Sequence, residues 1–314
     1  MLSFVLRRLL SSIPVLILVS LMTFALIWLV PGDPASVFLD ASATPEQIEN
    51  LRRQLGLDQP IWAQMLSWYE RVLSGDLGQS ILLRRSVADA ILERLPITLS
   101  LAALALFFAV LFGILLGSLA AVNHQRWGDQ SIMALALLGL SIPDFWLGLV
   151  LIVVFAVQLG WLPSGGYVPI TEDFVGWARS MALPAFTLTV TQIGFIARMT
   201  RSAMLDVLRQ DYVRTADAKG LSHSFVVVRH ALPNALVPIL TVTGVIAGGL
   251  LGGAVVVEQV FFLPGLGRLI IGAILSRDFP VIQGGLLMLA VIYLVINLIV
   301  DLLYALIDPR VRYG

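Results

Sequence analysis

Few residues in this chain can do chemistry on their own. The 314 residues include no cysteine, a single lysine and three histidines. Lys219 sits between Ala218 and Gly220, so the Gly-Lys-Ser/Thr of a phosphate-binding loop is missing. An intramembrane serine protease needs a Gly-x-Ser-Gly setting and a histidine in another span. Here Ser164 lies in LPSGG, and His124, His223 and His230 all fall in connecting segments. HExxH is absent too, which leaves zinc proteolysis unsupported, and without cysteine there is no thiolate metal site. The expectation is no catalytic residue, no metal site and no cofactor bound by this chain.

What remains is carboxylates in apolar surroundings and one polar segment. Asp144, Glu258 and Asp301 lie in or beside apolar runs. A carboxylate at the centre of a membrane span costs about 2.5 to 3.5 kcal/mol on insertion scales, so it should face water, a partner or a pathway. Asp144 follows Pro143, where a helix is expected to break, and reads either as part of a substrate path or as one half of a structural pair. Glu258 suits a gate or a docking contact, or else is an ordinary interfacial carboxylate. Asp301, near the end of the last apolar run, reads as structural.

The polar segment is Arg214 to Pro233, RTADAKGLSHSFVVVRHALP. Leu208 to Lys219 is a run of good helix formers, Gly220 is a natural left-handed terminator, and Ser222 can cap a following helix. Pro233 is then expected to redirect the chain into the next apolar run. A glycine-hinged pair of surface helices suits transmission of motion between subunits, and an ordinary arginine-rich loop fits the same residues.

These residues must be positioned by membrane helices. The chain is 58% hydrophobic and 13% charged, against about 45 to 50% and about 25% for a globular protein. Stretches free of Asp, Glu, Lys and Arg run for 24 residues from Leu9 to Gly32, 31 from Leu95 to Gln125 and 27 from Phe145 to Thr171. Further stretches cover 18 residues from Ser180 to Ala197, 28 from His230 to Val257 and 22 from Phe279 to Val300. A crossing needs about 20 apolar residues, so an all-α polytopic membrane protein with six transmembrane helices is expected. The third begins near Ile132, upstream of Asp144. The repeated small residues of Ala247 to Ala254, AGGLLGGA, read as a helix packing seam.

Arg7, Arg8, Arg126, the six Lys/Arg from Arg198 to Arg229, and Arg310 and Arg312 fall on one side if both termini are cytoplasmic. Six of the nine opposing arginines lie in the long loop after the first span, and long loops obey that rule weakly. The first apolar run is too long for a secretion signal and reads as an uncleaved anchor. In the loop, Thr44, Pro45 and Gln47 form a capping box with a stop at Gly56. A second helix is expected from Pro60 to Ser74, with Ile61, Met65, Trp68 and Val72 on one stripe, and Ser86 caps a lead-in to the second span. Zero net charge gives no case for nucleic acid.

At Arg214 to Pro233 the chain resembles permease subunits of ABC importers. These carry EAA, three residues, Gly, nine residues, Ile, one residue, Leu-Pro before the penultimate span. The matching positions are Arg214, Thr215, Ala216, Gly220, His230, Leu232 and Pro233. Arg, Thr and His stand where the motif has Glu, Ala and Ile, as in the peptide and nickel branch. The resemblance extends through PGDP at Pro31, LRRQLGLDQP at Leu51, GDLGQS at Gly75, SIPDFWLG at Ser141, LGWLPSGGY at Leu159, VVEQVFFLPGLGRL at Val256, RDFPVIQG at Arg277 and DPRVRY at Asp308.

The resemblance implies a type I ABC importer permease fold, with residues 1–96 holding the first helix and a helical extracytoplasmic insertion, and 97–314 holding the permease domain. It also implies a homologous second permease, two ABC ATPases that carry ATP and Mg, and an extracytoplasmic binding protein delivering di- or oligopeptides. Glutathione, nickel complexes and oligosaccharides are alternative cargoes. The setting would be a prokaryotic inner membrane, with membrane lipid around the spans and both termini in the cytoplasm. In such proteins the motif segment is a coupling helix seated in the ATPase. Carried over by position, Arg214, Thr215, Ala216, Gly220, Leu232 and Pro233 are the coupling residues, and Asp144 and Glu258 the candidates for path or gate. A secondary transporter would instead require inverted repeats and broken helices meeting at the midplane, and only Pro143 hints at a break.

Overall fold

The computed structural model describes residues 2–29, 44–54 and 58–307. The PGDP stretch, the stop at Gly56 and the DPRVRY tail lie outside them. Among the described residues the chain is helical, with one isolated bridge between Gln79 and Ser86. The helices are α1 (Leu2–Leu29), α2 (Pro45–Gln54), α3 (Ile61–Leu73), α4 (Val87–Val122), α5 (Trp127–Ser141) and α6 (Asp144–Leu151), which widens into a π-helical stretch Ile152–Gln158. Then follow α7 (Phe174–Leu208), α8 (Asp211–Ala218), α9 (His223–Val226), a π-helical turn Val227–Ala231, α10 (Leu232–Val260), α11 (Leu266–Ser276) and α12 (Phe279–Ile307).

Five of these helical runs are long and apolar enough to cross a membrane, and the α5–α6 pair makes a sixth when counted as one broken span. The six expected spans thus correspond to helices, but charge-free runs misplace several ends. The fourth run ends at Arg198, whereas α7 continues to Leu208, because Arg201 finds a partner inside the fold. The third run overshoots: helix stops at Gln158, and the chain beyond folds as a loop onto the end of α10, where Gly166 N–H donates to the Phe261 carbonyl at 3.0 Å. Pro96 does not separate a lead-in helix from the second span. It lies inside the 36-residue α4.

Two compact units divide the chain: residues 97–264 with 1–6 and 295–314, and residues 7–96 with 265–294. The first has a core built from α4, α6, α7 and α10, with Leu101, Leu188, Ile196, Met204 and Leu250 fully enclosed. Glycines set how closely its helices cross. A Cβ on Gly113 would stand 2.6 Å from Ile196, and one on Gly117 only 2.4 Å from the Ala197 carbonyl oxygen. This Gly-x-x-x-Gly pair brings the α4 backbone directly onto α7, the usual device where lipid supplies no hydrophobic drive between helices. Gly194 likewise admits the Ala136 carbonyl of α5. Larger side chains here would push the helices apart rather than fill a void.

In the second unit the Thr44 capping box forms: Thr44 N–H donates to Gln47 Oε1 at 2.9 Å, and Gln47 N–H to Thr44 Oγ1 at 3.3 Å. The α3 stripe packs on α1 through Trp68, whose ring lies 5.9 Å from that of Phe24, while Ile61 at its start stays exposed. The Tyr69 hydroxyl pairs with Ser20 at 2.7 Å. Asp278 ties the 80–82 turn to the start of α12, accepting from Ser80 Oγ at 2.6 Å and Leu82 N–H at 3.1 Å.

Candidate functional site

The polar segment folds as an elbow. Its first helix begins later than expected, at Asp211, because α7 ends at Leu208 and Arg209–Gln210 form a turn. Gly220 ends the elbow's first arm with φ +79°, and its N–H donates to the Asp217 carbonyl at 3.0 Å. Ser222 occupies the N-cap position of α9, yet its hydroxyl makes no capping bond. The two arms are held together from inside. Val213 and Ala216 of α8 and Val226 of α9 are buried against Val207 and Leu208. Ala216 therefore meets the elbow's own second arm, where any larger side chain would separate the two.

The outer face of the elbow is a different surface. Tyr212, Leu221, Phe225 and Val228 are exposed, and Arg214, Thr215 and Lys219 stand among them in solvent. Arg214 reaches only Asp211, at 3.9 Å with both side chains open, a pair worth little. Thr215 Oγ1 donates back to the Asp211 carbonyl at 2.8 Å. The exposed charges on the same helix are of both signs, since Asp211 and Asp217 are open as well.

Leu232 and Pro233 do not turn the chain. Helix is continuous from His223 to Val260, and Pro233 lies in the first turn of α10. A proline inside a helix removes one N–H and crowds the carbonyl four residues earlier. The widened turn at Val227–Ala231 accommodates both, and Leu232 packs on the core of the first unit.

Asp144 opens α6 immediately after the break at Ile142–Pro143, where α5 and α6 meet at 100°. The Pro143 ring and its β-region backbone (φ −64°, ψ 135°) stop α5 and start α6 in a new direction. Asp144 is only partly buried, and its Oδ1 accepts from Thr191 Oγ1 at 3.3 Å. Thr191 in turn accepts from Gln192 Nε2 at 3.3 Å. Gly253 of α10 closes the third side: a Cβ there would be 3.6 Å from Asp144 Oδ2.

Glu258 is not at a surface. It is 0% exposed and accepts from Thr98 Oγ1 at 2.5 Å, which links α10 to α4 inside the first unit. As folded here it braces two helices and presents nothing to a docking protein.

Residues 1–102 match the family of binding-protein-dependent transport system membrane components in its N-terminal part, and residues 113–313 match the binding-protein-dependent transport system inner membrane component. The chain belongs to this family of ABC importer permeases. A Brucella abortus protein provisionally named as a peptide transport system permease is 50% identical over 313 residues, covering 100% of both chains. The glutathione transport system permease of Escherichia coli K12 is 44% identical over 313 residues, again covering 100% of both. The permease also shares the fold of a chain of the inward-facing MetNI methionine ABC transporter, with a TM-score of 0.56 at 22% identity over 67% of this chain and 93% of that one.

The permease has one charged cluster that sequence reasoning missed. Asp129, at the start of α5, is 2% exposed and is gripped by Arg201 of α7, with Nε at 2.5 Å from Oδ1 and Nη2 at 2.7 Å from Oδ2. Gln125 N–H donates to the same carboxylate at 2.9 Å, and His124 Nδ1 lies 3.3 Å away. The clamp pins the turn between α4 and α5 to α7, about two turns before α7 ends at Leu208. Neither residue stands out locally: Asp129 lies in the first turn of α5, and Arg201 lies between Arg198 and Asp206 near the end of α7. Among the described residues no group of three or more His, Cys, Asp or Glu is placed to hold a metal ion.

Proposed function

We propose that this permease forms one half of a translocation path for short peptides, beside a homologous permease, above two ATPases that hold ATP and Mg, and beneath an extracytoplasmic binding protein. The observation that carries this reading is the elbow. Its inner face is locked by Val213, Ala216 and Val226, and its outer face offers Tyr212, Phe225 and Val228 among charges of both signs. A rigid protrusion with an open apolar face can pass a push from a partner into α7 and α10, the helices it joins. Arg214, Thr215 and Gly220 carry the contact, and Leu232 and Pro233 tie it to α10. Asp144 lines the path. The peptide and glutathione names of the full-length relatives support a short peptide as cargo.

Inner-membrane vesicles holding the whole importer are expected to take up trialanine only with ATP and binding protein both present. Uptake that persists without the ATPases would refute the proposal.

In this reading both termini and the elbow lie in the cytoplasm. The chain has no cysteine, so Glu70→Cys and Lys219→Cys give single reporters, on α3 and beside Gly220. Impermeant maleimide added outside right-side-out vesicles is expected to label the first and spare the second. Labelling of both from one side would overturn the orientation.

A further inference from the structure

We infer that Asp144 holds the amino-terminal ammonium of the peptide as it passes, which makes this carboxylate a specificity-determining residue of the permease. The inference rests on the peptide reading above and names which end of the cargo the path recognises.

A carboxylate has room for about four hydrogen bonds, and an ammonium brings three donors. The carboxylate of Asp144 uses one site, on Thr191 at 3.3 Å. Among the described residues of the first unit no Lys, Arg or His ion-pairs with it, in contrast to the fully gripped Asp129. A structural role would call for such a partner, because an ionisable group at membrane depth is costly unless paired or facing water. The depth is set by Thr191, which stands at the midpoint of the 35-residue α7.

Beside the carboxylate the wall is bare. Gly249 and Gly252 of α10 are exposed and would give an added Cβ nothing within 4 Å, and they continue the stripe of exposed Val245 and Val256. Gly253, next to Gly252, brings this stripe to the acid, since a Cβ added there would stand 3.6 Å from Asp144 Oδ2. A smooth track of glycine and valine with a carboxylate at its edge and the Gln192 amide behind suits an extended peptide. The peptide's backbone can lie along glycine while its charged amino end meets the acid. A free carboxylate end would be repelled there, so the site distinguishes the two ends of the cargo.

The test uses the complete importer in proteoliposomes, with trialanine or N-acetyl-trialanine on the binding protein. Asp144→Asn is expected to lower the maximal uptake rate of trialanine about tenfold, with KM for the loaded binding protein unchanged, as for an interaction lost only within the path. Asp144→Glu is expected to restore most of that rate, and N-acetyl-trialanine is expected to move equally fast through wild type and Asp144→Asn. Equal slowing of both peptides would make Asp144 a structural residue, and an unchanged trialanine rate would remove it from the path. If the wild-type importer moves neither peptide with ATP, the peptide reading itself falls, and this inference with it.

Discussion

Arg201→Ala is expected to destabilise the permease by about 1 to 3 kcal/mol, the cost of leaving an enclosed acceptor without its donor, since the side chain of Asp129 is 3% exposed while that of Arg201 keeps 26% open. Asp129 would keep only the Gln125 amide and His124, while the two short bonds from the guanidinium are lost. Domains have about 5 to 15 kcal/mol in total, so the importer purified in detergent is expected to melt well below wild type and to accumulate poorly in the membrane. Arg201→Lys keeps the charge without the two-pronged geometry and should fall between. The double variant Asp129→Ala with Arg201→Ala removes the stranded charge and should recover part of the loss, since the two effects are coupled. Melting of Arg201→Ala together with wild type would show that the clamp carries no stability.

The clamp also shows where a single sequence stops being informative. Charge-free runs reveal spans because a lone charge in hydrocarbon is costly. The same rule hides charges that are paired, and Arg201 and Asp129 lie 72 residues apart with nothing local to connect them. That is why the fourth span read as ending at Arg198 when α7 runs on to Leu208. The loop after Gln158 misled in the opposite sense: it is apolar and uncharged, yet Gly165 and Gly166 lay it against the Phe261 carbonyl instead of extending a helix. Features written in local backbone chemistry were legible, among them the break at Pro143, the capping box at Thr44 and the left-handed turn at Gly220. The crossing of α4 on α7 at Gly113 and Gly117 has a sequence signature, but which helix fills the gap is a tertiary fact. The site divides in the same way. Spacing located the elbow, whereas the inward burial of Ala216 and the full enclosure of Glu258 depend on neighbours distant in sequence.

Gly220→Val is expected to leave the importer assembled and hydrolysing ATP while uptake falls below about a tenth of wild type, a loss of coupling worth roughly 1.4 kcal/mol or more. The reason lies in the backbone, not in space. A Cβ at Gly220 meets nothing within 4 Å, but φ is +79°, a region that costs a β-branched residue about 1 to 3 kcal/mol. The strain has two ways out. Opening the elbow would expose Val213, Ala216 and Val226, which pack on Val207 and Leu208. Turning the Lys219–Gly220 peptide instead shifts Tyr212 and Arg214 of α8 slightly against Phe225 of α9 and Val228 of the π-helical turn, by less than would part Val213 and Ala216 from Val226. The second route is the cheaper, so the fold survives and the surface proposed to meet the ATPase changes shape. Gly220→Asn separates the two effects, because asparagine tolerates a left-handed backbone, and it should retain most uptake. The measurement is peptide imported per ATP hydrolysed in proteoliposomes. A valine variant that imports at the wild-type ratio would show that the turn does not transmit the ATP cycle, and one that fails to assemble would show that the turn is needed for folding alone.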